Sequence, residues 1–229
     1  MKKAEHKPIN IALDGPAGAG KSTVAKELGK RLDILYLDTG AMYRALGLKA
    51  YEQKIDISDE TAIKRLLDGT RVSVEYKSGA QATYLDGRDV SEKIREQHIS
   101  KAASDISAVP AVRYKMAELQ RGIASERDMI LDGRDIGTYV LPDAIFKFFV
   151  TARPEVRAER RYLELRGKGQ GVTKEEVLSE INARDKNDSE RAVAPLKKAD
   201  DAVLIDTSDI TANEAAEIIL TIVKKGTGN

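Results

Sequence analysis

Apolar residues fall along the chain in short blocks separated by longer stretches with helical spacing. Ile9-Asn10-Ile11-Ala12-Leu13 is the first block and Ile34-Leu35-Tyr36-Leu37 the second. Met129-Ile130-Leu131, Ala144 to Val150 and Val203-Leu204-Ile205 repeat the form. Each is short and apolar, as a strand buried on both faces must be. Lys21 to Leu32 carries a helical pattern. Buried parallel strands joined by crossover helices read this way, so the expected class is α/β, a parallel sheet flanked by helices.

Helix ends are legible. Ser58 is placed to cap a helix that stops before Gly69. Thr173 with Glu176, and Thr211 with Glu214, have the spacing of capping boxes. The last helix runs through Ile218, Ile219 and Ile222 to Lys224 and Lys225, with Gly226 as the expected C-terminal cap. One stretch breaks the rhythm. Arg71 to Tyr76 alternates, turns at Ser78-Gly79, resumes through Thr83-Tyr84-Leu85, and turns again at Asp86-Gly87 before Val90. That pattern predicts a small antiparallel meander inserted into the parallel fold, at about 70–95.

Composition narrows the function. The 229 residues suit one domain, and 41% hydrophobic with 33% charged residues allows a full core. A net charge of +1 argues against a dedicated nucleic-acid binder, and 5% aromatics without Trp argues against a stacking platform for single strands. With no cysteine, disulfides, thiolate catalysis and Cys-ligated zinc are excluded. Only His6 and His98 could serve a histidine metal site or triad, and His98 reads as a surface or packing residue. Met1-Lys2-Lys3 resembles the basic start of a signal peptide, but the apolar run that follows ends at Asp14 and reads as a strand. No apolar run approaches the ~20 residues of a membrane span. No membrane association is expected, the default location is cytoplasmic, and no coiled-coil seam suggests anything beyond a monomer.

Gly15-Pro16-Ala17-Gly18-Ala19-Gly20-Lys21-Ser22 fits G-x-x-x-x-G-K-[ST], directly after a strand and at the start of a helix. Glycines there let backbone N–H groups converge on a polyphosphate, and the helix N-terminus adds partial positive charge. Lys21 reaches β/γ-phosphates and the Ser22 hydroxyl is a candidate Mg²⁺ ligand, while Thr23 reads as a packing or supporting residue. A GTPase would carry Asn-Lys-x-Asp to read guanine, and this chain has none. A small-molecule kinase remains.

Transfer to an alcohol calls for a base. Transfer to a phosphate monoester instead calls for arginines that offset the repulsion of two polyanions. Arginines stand in three suggestive places. Asp38-Thr39-Gly40-Ala41-Met42-Tyr43-Arg44 follows the second strand, at the sheet edge where ligands bind, although Thr39 could simply cap a helix. Asp132-Gly133-Arg134-Asp135 follows the strand at 129–131, and Asp132 could serve either a metal ion or a substrate. Arg184, Asp188 and Arg191 share one helical face, where a plain ion-pair ladder is the competing reading. A further basic run, Arg153, Arg157, Arg160, Arg161 and Arg166, ends in the glycine-rich 167–171 segment, and has the look of a lid or of a solvated helix.

Taken in order, Gly15 to Thr23, Asp38 to Arg44, Asp132-Gly-Arg-Asp-Ile-Gly-Thr138 and Arg184-Asp through Arg191-Ala-Val-Ala-Pro-Leu196 closely resemble the bacterial cytidylate kinases, over nearly the whole chain. The resemblance implies a P-loop kinase that passes the γ-phosphoryl of ATP to CMP or dCMP, and to UMP more weakly, with Mg²⁺ and no general base. It implies that the loop from Gly15 to Thr23 holds ATP, that Ser22 meets the metal, and that Arg44, Arg134 and Arg191 grip the acceptor phosphate. Ser104, Arg113 and Asp135 match base-reading positions. Arg184 and Asp188 match the sugar-binding pair, and Thr39 and Tyr43 line the monophosphate pocket. Arg157 and Arg161 resemble lid arginines near the transferring phosphoryl. Under the resemblance Asp132 supports the substrate site. The implied organisation is one kinase domain with its core at about 8–38, 101–152 and 172–225, a monophosphate lobe at about 39–100 and a lid at about 153–171. Two rivals stay open: a P-loop kinase for another monophosphate or metabolite, and a nucleotide-binding switch without turnover.

Overall fold

The computed structural model describes residues 8–227, so the basic start at Met1-Lys2-Lys3 and His6 lie outside the described residues. In chain order the elements are β1 (Asn10–Asp14), α1 (Lys21–Leu32), β2 (Leu35–Asp38), α2 (Thr39–Glu52), α3 (Glu60–Asp68), β3 (Val72–Lys77), β4 (Ala80–Leu85), β5 (Arg88–Asp89), α4 (Gln97–Ile106) and α5 (Pro110–Ala124). Then come β6 (Met129–Asp132), β7 (Phe146–Thr151), α6 (Pro154–Gly167), α7 (Lys174–Glu190), β8 (Val203–Asp206) and α8 (Ala212–Thr227).

Five strands form one sheet in the order β2-β6-β1-β7-β8, and every pairing in it is parallel. Its central strand shows why the apolar blocks are continuous. Ala12 packs on one face with Leu37, Leu131, Met42 and Met116, while Ile11 and Leu13 pack on the other with Leu28, Phe148 and Ile219. Both faces are covered by helices, so alternation has no solvent side to report. A third, smaller cluster of Ala158, Leu165, Val177 and Ile181 joins α6 to α7. Strands β3, β4 and β5 form a separate antiparallel sheet, as the alternation at 71–90 predicts. No described helix is long and apolar enough to cross a membrane.

Both capping boxes form: Thr173 and Glu176 exchange side-chain-to-backbone bonds, and Thr211 and Glu214 do the same. Two other ends differ from expectation. Asp59, not Ser58, caps α3, accepting from the Thr61 and Ala62 N–H groups, while Ser58 donates its hydroxyl to Asp56. A carboxylate one residue nearer the helix wins because its charge favours the N-terminal dipole. Gly226 does not stop α8, which continues to Thr227; a Cβ there would lie 2.6 Å from the Phe146 ring, so this glycine serves packing. His98 is half exposed and stacks on Tyr51 at 4.7 Å, in keeping with a surface role.

Candidate functional site

The carboxyl ends of β1, β2 and β6 bring three loops together. The first is the turn from β1 into α1. Gly15 has φ 143°, and a Cβ on it would sit 1.9 Å from the Val150 carbonyl oxygen, so the turn admits only glycine. Gly20 caps α1 in the left-handed region and no side chain accepts from the first N–H groups of the helix. Lys21 is buried and folds back over the loop, its Nζ donating to the Pro16 carbonyl at 2.8 Å. Burial, with Arg134 nearby, pushes its pKa down to about 7 against the pull of Asp132 and Asp14. A cation held at such a cost is poised for an anion to restore its charge. Thr23 is exposed at the first turn of α1, away from the buried packing face formed by Val24, Ala25 and Leu28.

Asp132, at the end of β6, sits directly against this loop. Its Oδ2 accepts from the Ser22 hydroxyl at 2.7 Å and from the Tyr36 hydroxyl at 2.9 Å. Its backbone carbonyl accepts from Thr39 at 2.6 Å. Burial first, and then the charge of Asp38, raise its pKa. Ser22 and Asp132 together are a pair of hard oxygen donors. Among the described residues no cluster of three or more carboxylate, histidine or cysteine side chains could enclose a metal. A cation that takes few protein ligands and keeps phosphates and waters, as Mg²⁺ does, fits this set. Asp38, rather than Thr39, caps α2: its Oδ1 accepts from the Ala41 N–H, and its Oδ2 pairs with Arg44 at 2.7 Å.

A second cluster lies beside the first. Arg134 Nε donates to Asp188 Oδ2 at 2.8 Å, and Arg191 Nη1 lies 3.4 Å from Asp188 Oδ1. Burial would raise the Asp188 pKa, but Arg134, Arg191 and Arg184 outweigh it and hold the carboxyl low. Arg191 falls just past the end of α7 with extended backbone, so it leaves the helical face that the spacing predicted, yet its side chain returns to Asp188. Arg113 is fully buried and pairs with Asp135 at 2.5 Å, with its guanidinium 5.7 Å above the Tyr43 ring. Arg184 Nε and Arg191 Nη2 are buried without a partner. Burial, then Arg134, lower the Arg184 pKa to about 10, which keeps it charged at neutral pH. A buried guanidinium nitrogen left without a partner asks for an acceptor, and an anionic ligand supplies one.

The basic run begins at the cap of α6 and continues along the helix. Arg157 is buried and donates to the carbonyls of Ala152 and Ala17, with Asp185 at 2.7 Å. Arg160 donates to Thr207, whose hydroxyl in turn reaches the Ala19 carbonyl, and Arg153 pairs with Asp209. Arg157 and Arg160 therefore tie the start of α6 to the phosphate loop and to the loop after β8, while the Arg153–Asp209 pair lies exposed. Arg161 pairs with Glu164 at 2.7 Å, and Arg166 is exposed against Tyr162.

Several participants escaped sequence reasoning. Asp14 ends β1 buried, and its two oxygens accept from the Ile136 and Gly137 N–H groups at 2.7 Å each, which ties the loop carrying Arg134 and Asp135 to the phosphate-loop strand. Burial raises its pKa to about 6, with the bonds from Gly137 and Ile136 opposing. Its place at a strand end just before Gly15 was the available signal. Gln81, in the inserted sheet, binds both the N–H and the carbonyl of Asp38, and nothing in its sequence context marks it. Ser104 accepts from Asn187, a partner equally unmarked.

Comparison with known proteins agrees with this geometry. A family profile described as "Cytidylate kinase" matches residues 11–225. A protein named cytidylate kinase from Caldicellulosiruptor saccharolyticus is 48% identical over 97% of this chain and 99% of its own length. Another from Caldanaerobacter subterraneus is 49% identical over 96% of each. Among solved structures, an uncharacterized protein from Eubacterium ventriosum superposes with a TM-score of 0.53 at 17% identity, covering 96% of this chain and 99% of that one, a likeness of fold. The profile spans the phosphate loop, the loop after β6 and the arginines that close α7, so the chain is a phosphotransferase that belongs to the cytidylate kinase family.

Proposed function

We propose that this kinase transfers the γ-phosphoryl of ATP directly to the phosphate of CMP or dCMP, with UMP a poorer acceptor. The observation that carries the reading is the pair of buried guanidinium nitrogens without a partner, Arg184 Nε and Arg191 Nη2, gathered with Arg134 around Asp188 next to the phosphate-loop lysine. A second anion is wanted there, beside the place where a polyphosphate would lie. An acceptor phosphate arrives already ionised, so no base is required, and the described site offers arginines in place of one.

In this reading the loop from Gly15 to Thr23 cradles the ATP phosphates, and Lys21 bonds the β/γ oxygens. Ser22 and Asp132 hold Mg²⁺, which neutralises phosphate charge when bound. This reading takes Asp132 for the metal where family resemblance implies a substrate role, and its bond with Ser22 supports the choice. Arg134 and Arg191 hold the acceptor phosphate, and Arg44 joins them on release from Asp38. Asp188 with Arg184 takes the sugar. Asp135 accepts from an exocyclic amine, and Arg113 donates to ring acceptors. Arg157 orients the phosphate loop through Ala17, and Arg161 is free to swing inward. The β3–β5 insert belongs to a monophosphate lobe, and residues at about 153–171 form a lid that shields the transfer from water. The protein works as a monomer in the cytoplasm.

The test is ADP formation from ATP and Mg²⁺ with CMP, dCMP, UMP, AMP and GMP in parallel. Fast turnover confined to CMP and dCMP, with UMP slower, supports the reading. Turnover with a purine monophosphate keeps the kinase and discards the base-reading set. ATP binding without acceptor-dependent turnover overturns the enzyme.

A further inference from the structure

Helices α4 and α7 meet through a polar contact between residues far apart in the chain: Asn187 Nδ2 donates to Ser104 Oγ at 3.3 Å. Both residues are half-buried. Ser104 is otherwise fixed through its backbone, its carbonyl accepting from the Ser107 hydroxyl at 2.8 Å, while the Ser107 carbonyl accepts from Arg113 at 3.2 Å. Among the described residues the Ser104 hydroxyl has no acceptor for its own proton. A hydroxyl has one proton and two lone pairs, whereas an amide NH₂ can only donate. The amide therefore occupies a lone pair and repels the hydroxyl proton, leaving that O–H free to donate elsewhere.

We infer that Asn187 is a specificity-determining positioning residue: it sets the polarity of Ser104, so that Ser104 offers a proton to the base of the acceptor nucleotide. This rests on the proposed reading of Ser104, Arg113 and Asp135 as the base-reading set. Cytosine carries an unprotonated ring nitrogen beside its amine, and uracil carries an N–H beside a carbonyl. A serine held as donor, linked through Ser107 and Arg113 to a carboxylate that accepts, suits the first edge and opposes the second. The pair thus adds a cytosine-over-uracil filter to the one Asp135 supplies, without Asn187 touching the substrate. A site that leaves polar groups unpaired against the wrong base discriminates more strongly than shape alone.

Replacing the donor with an acceptor inverts the device. In Asn187→Asp the carboxylate draws the Ser104 proton toward itself and turns a lone pair to the base. The added negative charge repels the phosphates of CMP and UMP alike, so it cancels in the ratio of their kcat/KM values. The experiment measures that ratio for the wild type, N187A and N187D, each also in an S104A background, with thermal unfolding as a check on folding. We expect N187D to lower the CMP:UMP ratio at least tenfold and N187A to lower it less, and we expect both effects to vanish when Ser104 is absent. Equal losses toward both nucleotides, or a ratio change that persists in S104A, would mean that the contact only joins two helices, and would overturn the inference. Should N187D not fold, N187A within the same cycle decides, since an unchanged ratio contradicts the proposal. A wild type that uses neither CMP nor dCMP refutes the proposed function instead, and the two failures are told apart by that first measurement.

Discussion

Arg191 is 9% exposed, bonds the Ala194 carbonyl, approaches Asp188, and still has one nitrogen without a partner. Charge-assisted contacts of this kind in a desolvated site are the strongest a side chain makes. Arg191→Ala should lower kcat/KM for CMP by about 10²–10³, roughly 3–4 kcal/mol. The ATP dependence should change far less, and steady-state kinetics with each substrate varied in turn would reveal the difference. Lysine is a poor replacement, because it lacks the planar fork that lets Arg191 bond Ala194 and approach Asp188 while a third nitrogen stays free for an acceptor. Asp14 supplies a prediction in pH. Its folded pKa of about 6 lies above the model-peptide value of 3.8, so the folded state holds an extra proton between roughly pH 4 and 6. Its contribution therefore becomes more favourable as pH falls through 6 and is lost as pH rises. Relative to Asp14→Asn, the wild type should gain up to about 3 kcal/mol between pH 7 and pH 4. Urea unfolding of both proteins across that range tests this, and a constant difference would refute it.

Elements were legible where one local rule governs them. Helix α1 runs from Lys21 to Leu32 as its pattern predicts, and the capping box at Thr173 announces α7 because both partners lie within four residues. Thr173→Ala removes the acceptor for the Glu176 N–H at an exposed helix start, so it should cost about 1 kcal/mol of stability and leave kcat unchanged, as chemical denaturation and an activity assay would register. Illegible features depend on partners distant in sequence. The spacing of Arg153, Arg157 and Arg160 shows that they share a face, but not that Asp209, Asp185 and Thr207 wait on it. The same spacing puts Arg191 on α7, yet the chain leaves the helix at that residue. Gly226 has the signature of a cap and is instead a contact surface for Phe146, which lies on β7 and 80 positions earlier. The 2.7 Å bond between Ser22 and Asp132 joins residues 110 positions apart, which no local rule announces.

At the scale of the molecule, the inserted sheet and the parallel core are separate hydrogen-bonded bodies that act on one site only if they are joined. Gln81 joins them. Its carbonyl oxygen accepts from the Asp38 N–H at 2.7 Å and its amide donates to the Asp38 carbonyl at 3.2 Å, the pattern by which one strand residue pairs with another. Lys49 with Asp86, and Lys93 with Glu52, add ion pairs between the insert region and α2. Lys93 with Glu52 is largely exposed and contributes little, and neither pair reaches the strand end at Asp38, so the amide is the bond that fixes distance and direction there. What it fixes is Asp38, whose carboxylate caps α2 and restrains Arg44. Gln81→Ala should therefore loosen the acceptor side alone. The KM for CMP should rise about tenfold, near 1.4 kcal/mol, with the KM for ATP unchanged and a stability loss of about 1 kcal/mol from the broken bonds. Gln81→Glu keeps one acceptor and loses the donor to the Asp38 carbonyl, so it should fall between wild type and alanine. Bisubstrate kinetics on the three proteins would settle the matter. If both KM values rise together, the insert supports the fold as a whole and does not govern the acceptor loop; if only the CMP value moves, an insertion in the chain has become part of how the kinase holds its second substrate.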